Sequence, residues 1–479
     1  MRPLALAALA AALAACSSGP DYVRPALELP AQFKEAGPWK TAEPRPADAG
    51  TAWWEVFGDP DLDRLEQQAG AANLTIVQLE AAYRQARALV AQARSGLWPT
   101  AGINASATRS RAHVPGEGAV TANAYVLDVA ASWEPDLWGG VRRSIESARA
   151  QAQASADDVA GARLSVQGEL ARDYLALRVL DVERDLFAAT TTAYARALQL
   201  TQSQYRAGVA LRSDVALAQT QLESTRATAV DLDATRAQLE HAIATLVGQP
   251  AGSFSLPPRT TTLASLRAIV PVVPAGVPSD LLERRPDIAA AERRAAAANA
   301  NIGVAQAAFY PSLLLTASGG GAAANLSGLF DTPARVWSLG AALAQTVFDG
   351  GLRVARREQA EAAFDASAAL YKGTVLAGLQ QVEDNLAVLR VLDDEAGHQE
   401  EAVRAARVAE DSALRQYRAG TALFLAVITA QTLSLNNQRT AVQIVGRQLA
   451  AAVTLVTALG GGWTTAQSDV ADARGGTKP

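Results

Sequence analysis

Cys16 is the residue in this 479-residue chain whose surroundings prescribe a covalent reaction. Met1-Arg2-Pro3 makes a short basic start, residues 4–15 form an apolar run of alanine and leucine, and Leu13-Ala14-Ala15-Cys16 fits a lipobox. The run of about 12 residues is shorter than the roughly 20 that a membrane-crossing helix needs. It reads as a signal peptide removed before Cys16. A diacylated, N-acylated cysteine anchors a chain to a bilayer, each acyl chain contributing roughly 0.8 kcal/mol per buried methylene.

The other chemically capable residues do not converge. The three histidines, His113, His241 and His398, are far apart, and a single cysteine excludes an intrachain disulfide or a thiolate metal cage. There is no nucleophile–base constellation, phosphate loop or metal-ligand spacing. The chain therefore reads as a non-enzyme with no metal and no cofactor. The charged run Glu283-Arg284-Arg285-Pro286-Asp287 has a structural explanation. Pro286 suits the first turn of a helix, Asp287 favours the helix dipole, and Arg284 and Arg285 can bind neighbouring carbonyls or carboxylates. A net charge of −5 gives no bulk basic surface for nucleic acid. Apolar residues reach 49% but aromatics only 5%, and the alanine-rich balance favours long helices.

The elements that carry these residues come in two copies. Gln204-Tyr205-Arg206-Ala207-Gly208 recurs as Gln416-Tyr417-Arg418-Ala419-Gly420, 212 positions later. Gln219-Thr220 matches Gln431-Thr432, Gly248 matches Gly460, and Leu97-Trp98-Pro99-Thr100 matches Phe309-Tyr310-Pro311-Ser312. Trp138-Gly139-Gly140-Val141-Arg142 matches Asp349-Gly350-Gly351-Leu352-Arg353 with one residue of slippage. A repeat this long is a duplicated domain.

Each copy predicts the same order. A helix over 61–97 or 279–309 is cut off by Pro99 or Pro311. Two strands of alternating pattern follow. Ala101, Ile103, Ala105 and Ala107 alternate with small or polar residues, as do Tyr125, Leu127, Val129, Ala131 and Trp133. Copy two repeats this with Leu313, Leu315 and Ala317, then Trp337, Leu339, Ala341 and Leu343. Strands of about ten residues with one apolar face have the length and pattern of a transmembrane β-barrel, although a soluble hairpin with one buried face shares the periodicity. Long helices follow over 141–205 and 213–247, then 352–417 and 425–459. The first of these would be about 95 Å long. Leu435, Gln438, Val442, Val445, Leu449, Ala452, Val456 and Leu459 step by three and four, as in coiled coils. Val166, Leu170, Tyr174, Leu177 and Leu180 form one seam, and Leu175, Val179, Val182 and Leu186 another, so that helix packs on two sides.

Four amphipathic strands cannot close a barrel, because an open edge in lipid leaves backbone groups unsatisfied at several kcal/mol each. Barrels start at eight strands, so the chain must pool strands with its own copies. The other strand faces (Gly102, Ser106, Thr108, Ser132, Thr316, Ser318) suit a water-filled lumen.

The ordered motifs resemble the TolC-like outer-membrane efflux factors, in particular their lipoprotein (NodT-type) branch, over essentially the whole chain. Cys16 with Gly19-Pro20-Asp21-Tyr22-Val23-Arg24-Pro25, Trp53-Trp54-Glu55-Val56-Phe57 and Leu281-Leu282-Glu283-Arg284-Arg285-Pro286-Asp287-Ile288 carry the likeness. So do Trp133-Glu134-Pro135-Asp136-Leu137-Trp138-Gly139 and Val347-Phe348-Asp349-Gly350-Gly351. The resemblance implies a mainly α fold with a small β part. It implies a homotrimer with a shared 12-stranded transmembrane barrel and an α-helical periplasmic barrel. Its partners would be a periplasmic adaptor (membrane fusion protein), an inner-membrane pump of the proton-driven RND type, and outer-membrane lipids. Ser17 after the lipidated cysteine points to the outer membrane. The implied function is the exit duct of a tripartite pump, passing small molecules such as drugs. A pore-less periplasmic coiled-coil scaffold and a protein-secretion duct are the rivals.

By the same resemblance, the turns Gly208-Val209-Ala210-Leu211 and Gly420-Thr421-Ala422-Leu423 are periplasmic tips that contact the adaptor. Their glycines suit a helix C-cap. The acids that relatives often carry in the second tip are missing here: Ala426 and Thr429 stand in that stretch. Asp214 is retained in the first tip, and an apolar gate of Leu423, Phe424 and Leu425 is expected. The expected organisation is a signal peptide at 1–15, a lipid-anchored segment at 16–60, repeats at 61–250 and 279–462, a linker at 251–278, and a flexible tail at 463–479.

Overall fold

The computed structural model describes residues 18–35, 52–116, 118–271 and 284–461. The signal peptide, Cys16, Glu283 and the 463–479 tail lie outside them. Twelve regular elements follow the duplicated order among the described residues. Copy one runs α1 (Pro60–Ala72), α2 (Leu74–Ser95), β1 (Thr100–Val114), β2 (Gly118–Trp133), α3 (Gly140–Arg206) and α4 (Arg212–Leu246). A short α5 (Leu263–Ala268) stands between the copies. Copy two runs α6 (Pro286–Ala307), β3 (Ser312–Ala323), β4 (Arg335–Ala344), α7 (Leu352–Arg418) and α8 (Phe424–Ala458). The four long helices fall within one or two residues of the bounds their periodicity predicts.

The first predicted helix is two. Asn73 breaks it, because its side chain does capping work that a helical residue cannot. The Asn73 carbonyl oxygen accepts from the Thr75 and Ile76 N–H groups at 2.9 and 3.3 Å, and its amide donates to the Leu246 carbonyl at 2.9 Å. One buried side chain thus starts α2 and satisfies an orphan carbonyl at the end of α4.

Two compact units emerge, and each draws on both copies. The first contains residues 18–26, 82–155 and 290–372. Its sheet has the order β1-β2-β3-β4, antiparallel throughout. The copies are joined at β2–β3, where Val129 faces Gly319 and Trp133 faces Leu315. Both edges, β1 and β4, lack a partner strand among the described residues. Register places Ala101, Ile103, Leu127, Val129, Leu315, Leu339 and Leu343 on one face. The opposite face is laced by Thr100–Ser132 and Ser318–Ser338 hydroxyl pairs, each at 2.9 Å, and by an Asn104–Asp128 hydrogen bond at 3.4 Å. The apolar face is bare: Trp337, Leu339 and Leu343 are 77%, 75% and 71% exposed.

Matching devices join strand to helix in both copies. Asp136 accepts from the Val141 and Arg142 N–H groups, each at 2.9 Å, at the start of α3. Asp349 accepts from the Gly351 and Arg353 N–H groups at 3.0 and 3.2 Å at the start of α7. A carboxylate there answers the unpaired N–H groups and the positive end of the dipole. Trp138 ties the copies together: its indole donates to the Pro311 carbonyl at 2.6 Å and stacks on Tyr310 at 4.9 Å.

The second unit contains residues 27–35, 52–81, 156–271, 284–289 and 373–461. Both predicted seams of α3 are buried in its core, with Leu170, Tyr174, Leu175 and Leu177 all but inaccessible beside Val445, Leu449 and Val453 of α8. Within this apolar packing lies an ion cluster. The Asp181 carboxylate accepts from Arg178 and Arg236, each at 3.0 Å, and from the Arg259 N–H at 3.1 Å. Arg236 also donates to the Leu256 carbonyl at 2.6 Å, and Arg178 to the Pro257 carbonyl at 3.2 Å. The cluster fastens the inter-repeat segment onto α3 and α4.

Candidate functional site

The two Tyr-Arg-Ala-Gly turns adopt one geometry. Gly208 and Gly420 have φ of +75° and +73°, the left-handed region that favours glycine. In the first turn, Gly208 N–H reaches the Tyr205 carbonyl and Val209 N–H the Gln204 carbonyl, both at 2.9 Å. In the second, Gly420 N–H reaches Tyr417 and Thr421 N–H reaches Gln416, both at 3.0 Å. This is the Schellman closure, which satisfies the last carbonyls of α3 and α7.

The turns differ where the next helix begins. Asp214 accepts from the Leu211 N–H at 3.1 Å, capping α4. Its counterpart is Ala426, so α8 has no side-chain cap. Asp214 is thereby engaged in holding a helix end, and the second tip offers no carboxylate.

Side-chain burial divides the expected gate. Leu423 and Leu425 are 76% and 58% exposed, and Val209 and Leu211 are exposed beside the first turn. Phe424 is 2% exposed and does not share that surface. It packs with Tyr417, Ala218 and Val427, its ring 5.1 Å from that of Tyr417. The expectation of Phe424 as a gate-lining residue is corrected: it is the core that holds the second turn. The signal was present in the sequence, since the seam of α8 continues backward from Leu435 through Gln431 and Ile428 to Phe424 in steps of four, three and four.

The described part of the charged run is bonded within the fold. Arg285 is buried and grips both Asp287 oxygens, at 3.0 and 2.7 Å. It also donates to Gln381 at 2.9 Å and to the Ala458 carbonyl at 3.0 Å, at the end of α8. Pro286 and Asp287 open α6 as expected. Among the described residues, no group of three acidic, histidine or cysteine side chains is placed to hold a metal ion.

The segment that follows Cys16 is pinned beside the sheet. Ser18 donates to the Trp138 carbonyl at 2.7 Å, and Arg143 donates to the Ser18 carbonyl at 2.9 Å and to Asp21 at 3.0 Å. Asn299 donates to the Pro20 carbonyl at 3.0 Å. These contacts hold residues 18–21 at the strand-to-helix joints.

Comparison with known proteins agrees with this architecture. A family model described as outer membrane efflux protein matches residues 65–249 and 277–461, one stretch in each copy. The chain is similar to the outer membrane protein OprJ of Pseudomonas aeruginosa, with 33% identity covering 98% of this chain and 97% of that protein. It is 31% identical to the pyoverdine export outer membrane protein OpmQ of Pseudomonas putida, covering 96% and 98%. Among solved structures, the outer-membrane channel OprN superposes with a TM-score of 0.87 at 31% identity, covering 94% of this chain and all of that one.

Proposed function

The chain belongs to the outer membrane efflux protein family, and we propose that it works as a homotrimer whose sheets close one 12-stranded barrel, three sheets of four strands each. It is an outer-membrane channel for efflux, the exit duct of a tripartite pump. The observation that carries the pooling of sheets is the four-stranded sheet with no partner strand on either edge among the described residues and an exposed apolar face; the number three comes from the family resemblance. Lipid accepts such a face only when every strand edge is paired, and pooling sheets pairs them. The polar face then lines a wet lumen through which small molecules such as drugs pass passively. Choice among substrates rests with the inner-membrane pump, of RND type, coupled through a periplasmic adaptor. The scaffold rival leaves exposed tryptophan and leucine without a purpose.

The tips Gly208-Val209-Ala210-Leu211 and Gly420-Thr421-Ala422-Leu423 are the adaptor contacts in this reading. Closure falls to Leu423 and Leu425, because apolar constrictions gate by dewetting. In detergent the protein is expected to run as a heat-modifiable trimer, and in planar bilayers to give single-channel conductance. Leu425→Ser raises the resting conductance severalfold, whereas Phe424→Ser lowers trimer yield. Divalent cations are expected to block only weakly from the periplasmic side, and Thr429→Asp to introduce block by adding a carboxylate ring. Absence of both trimer and conductance sinks the channel reading. Strong block of the unmodified channel sinks the apolar gate and turns attention to Asp214.

Cys16 completes the reading as a lipid anchor. Ser18, the first described residue after it, donates to the Trp138 carbonyl at a strand-to-helix joint, and that attachment supports the anchor reading. Cys16→Ser abolishes acylation, and globomycin makes the precursor accumulate. A mature chain of unmodified mass rules the anchor out. Part of the export function is expected to survive the substitution, because the strands themselves still insert.

A further inference from the structure

The apolar face of β1 changes character before the strand ends. Register from Thr100↔Ser132 to Val114↔Gly118 is continuous, so alternation holds without a bulge. Ala101, Ile103, Ala105 and Ala107 therefore share a face with Arg109, Arg111 and His113. All seven are exposed. Across that face the paired residues are neutral: Asn123, Thr121 and Ala119 oppose the three basic side chains. The acid of the sheet, Asp128, pairs with Asn104 on the other face.

Height along the strand places this cluster. Arg109 lies nine residues beyond Thr100, roughly 30 Å at about 3.4 Å per residue. A tilt of about 40° reduces that to roughly 23 Å, close to the ~25 Å apolar band of an outer-membrane barrel. With Thr100 at the inner edge of that band, next to the helix joints, Arg109 stands where hydrocarbon ends on the hairpin-turn side. Arg111 and His113 reach into the layer beyond, which holds lipid head groups.

We infer that Arg109, Arg111 and His113 form a seat for the phosphate groups of lipid in the outer leaflet. Charge and position together select this occupant. Guanidinium groups bind phosphate oxygens with paired N–H donors, and a cluster flush with an apolar face meets them only in a lipid whose chains lie against Ile103 and its neighbours. A soluble phosphate has no use for the apolar part. The inference rests on the barrel reading with this face turned to lipid.

The test uses the full-length trimer in detergent, titrated with diphosphoryl lipid A and followed by native mass spectrometry. Arg109→Gln/Arg111→Gln is expected to weaken binding about 25-fold, near 5-fold for each charge at the membrane surface. Arg109→Lys/Arg111→Lys retains most of the affinity. Diacylglycerol, which has acyl chains and no phosphate, binds the unmodified protein and the Gln variant alike, and millimolar inorganic phosphate does not displace lipid A. Raising salt narrows the difference. Equal lipid A affinity for the unmodified protein and the Gln variant overturns the seat, as does displacement by inorganic phosphate. Conductance in planar bilayers is measured on both proteins. Retained conductance with equal affinity refutes the seat alone, whereas loss of conductance in the unmodified protein refutes the barrel reading beneath it.

Discussion

Replacing Asp181 with leucine is expected to cost about 3–5 kcal/mol, the usual penalty for removing one partner of a buried ion pair. Asp181 answers two buried guanidiniums and a backbone N–H at once. Its loss leaves Arg178 and Arg236 charged, buried and short of an acceptor. The inter-repeat segment depends on the same groups, since Arg236 and Arg178 donate to the Leu256 and Pro257 carbonyls. The variant should show a lower thermal midpoint in detergent and a reduced yield of folded trimer. Asp181→Asn should be milder, because an amide oxygen still accepts. The triple change Arg178→Met/Asp181→Leu/Arg236→Met should recover part of the loss, since it removes both buried guanidiniums along with their shared acceptor, while Glu240, 2.8 Å from Arg236, gives up its partner. If Asp181→Leu alone matches the parent protein in midpoint and yield, the cluster is not holding the segment.

Glu66 predicts the opposite sign. It is 1% exposed within α1, on the face that also buries Leu62, Leu65 and Ala69. Neither carboxylate oxygen has a hydrogen-bond partner. Burial, and secondarily the Asp63 carboxylate, push its pKa from 4.5 up to about 9. The folded chain therefore keeps this proton up to about pH 9, while the unfolded chain releases it near 4.5. Between those values the folded state binds more protons, so stability falls as pH rises through the window. By pH 7 the loss from this group is about 3 kcal/mol relative to acid conditions, at about 1.4 kcal/mol per pH unit. Glu66→Leu should raise the unfolding midpoint, and the gap between variant and parent should widen from pH 5 to pH 8.5. Glu66→Gln should remove the same pH dependence while leaving an unpaired amide. Parallel pH profiles for parent and Gln variant would show that Glu66 ionises in the fold.

Both predictions concern residues whose importance is invisible in local pattern. Asp181 reads as one more acid in an Arg-rich helix, and its partners lie 55 and 78 positions away. Glu66 occupies an apolar position in the helical period of α1, yet the period alone does not say that the position is closed to water. Phe424 was legible in principle, because the three-and-four seam of α8 runs back to it. An apolar residue next to a tip turn nevertheless looks the same in sequence whether it faces water or a neighbouring helix.

What the sequence determined by itself is what short-range physics enforces. The duplication sets the order of elements, and apolar spacing sets the four long helices to within one or two residues. Strict alternation assigns each strand residue to a face, because successive side chains must point to opposite sides. The glycines at 208 and 420 mark helix ends, since the closing turn needs a positive φ. Only the tertiary structure decided which surfaces meet. It joined the copies through β2 and β3, so that each compact unit mixes both. It broke the first helix at Asn73, whose amide finds the Leu246 carbonyl 173 residues away. It buried Phe424 and left Leu423 and Leu425 exposed. The physical reason is common to all of these. A backbone period depends on bonds within a few residues, whereas burial of a side chain, and hence its charge and role, depends on elements brought together from far along the chain.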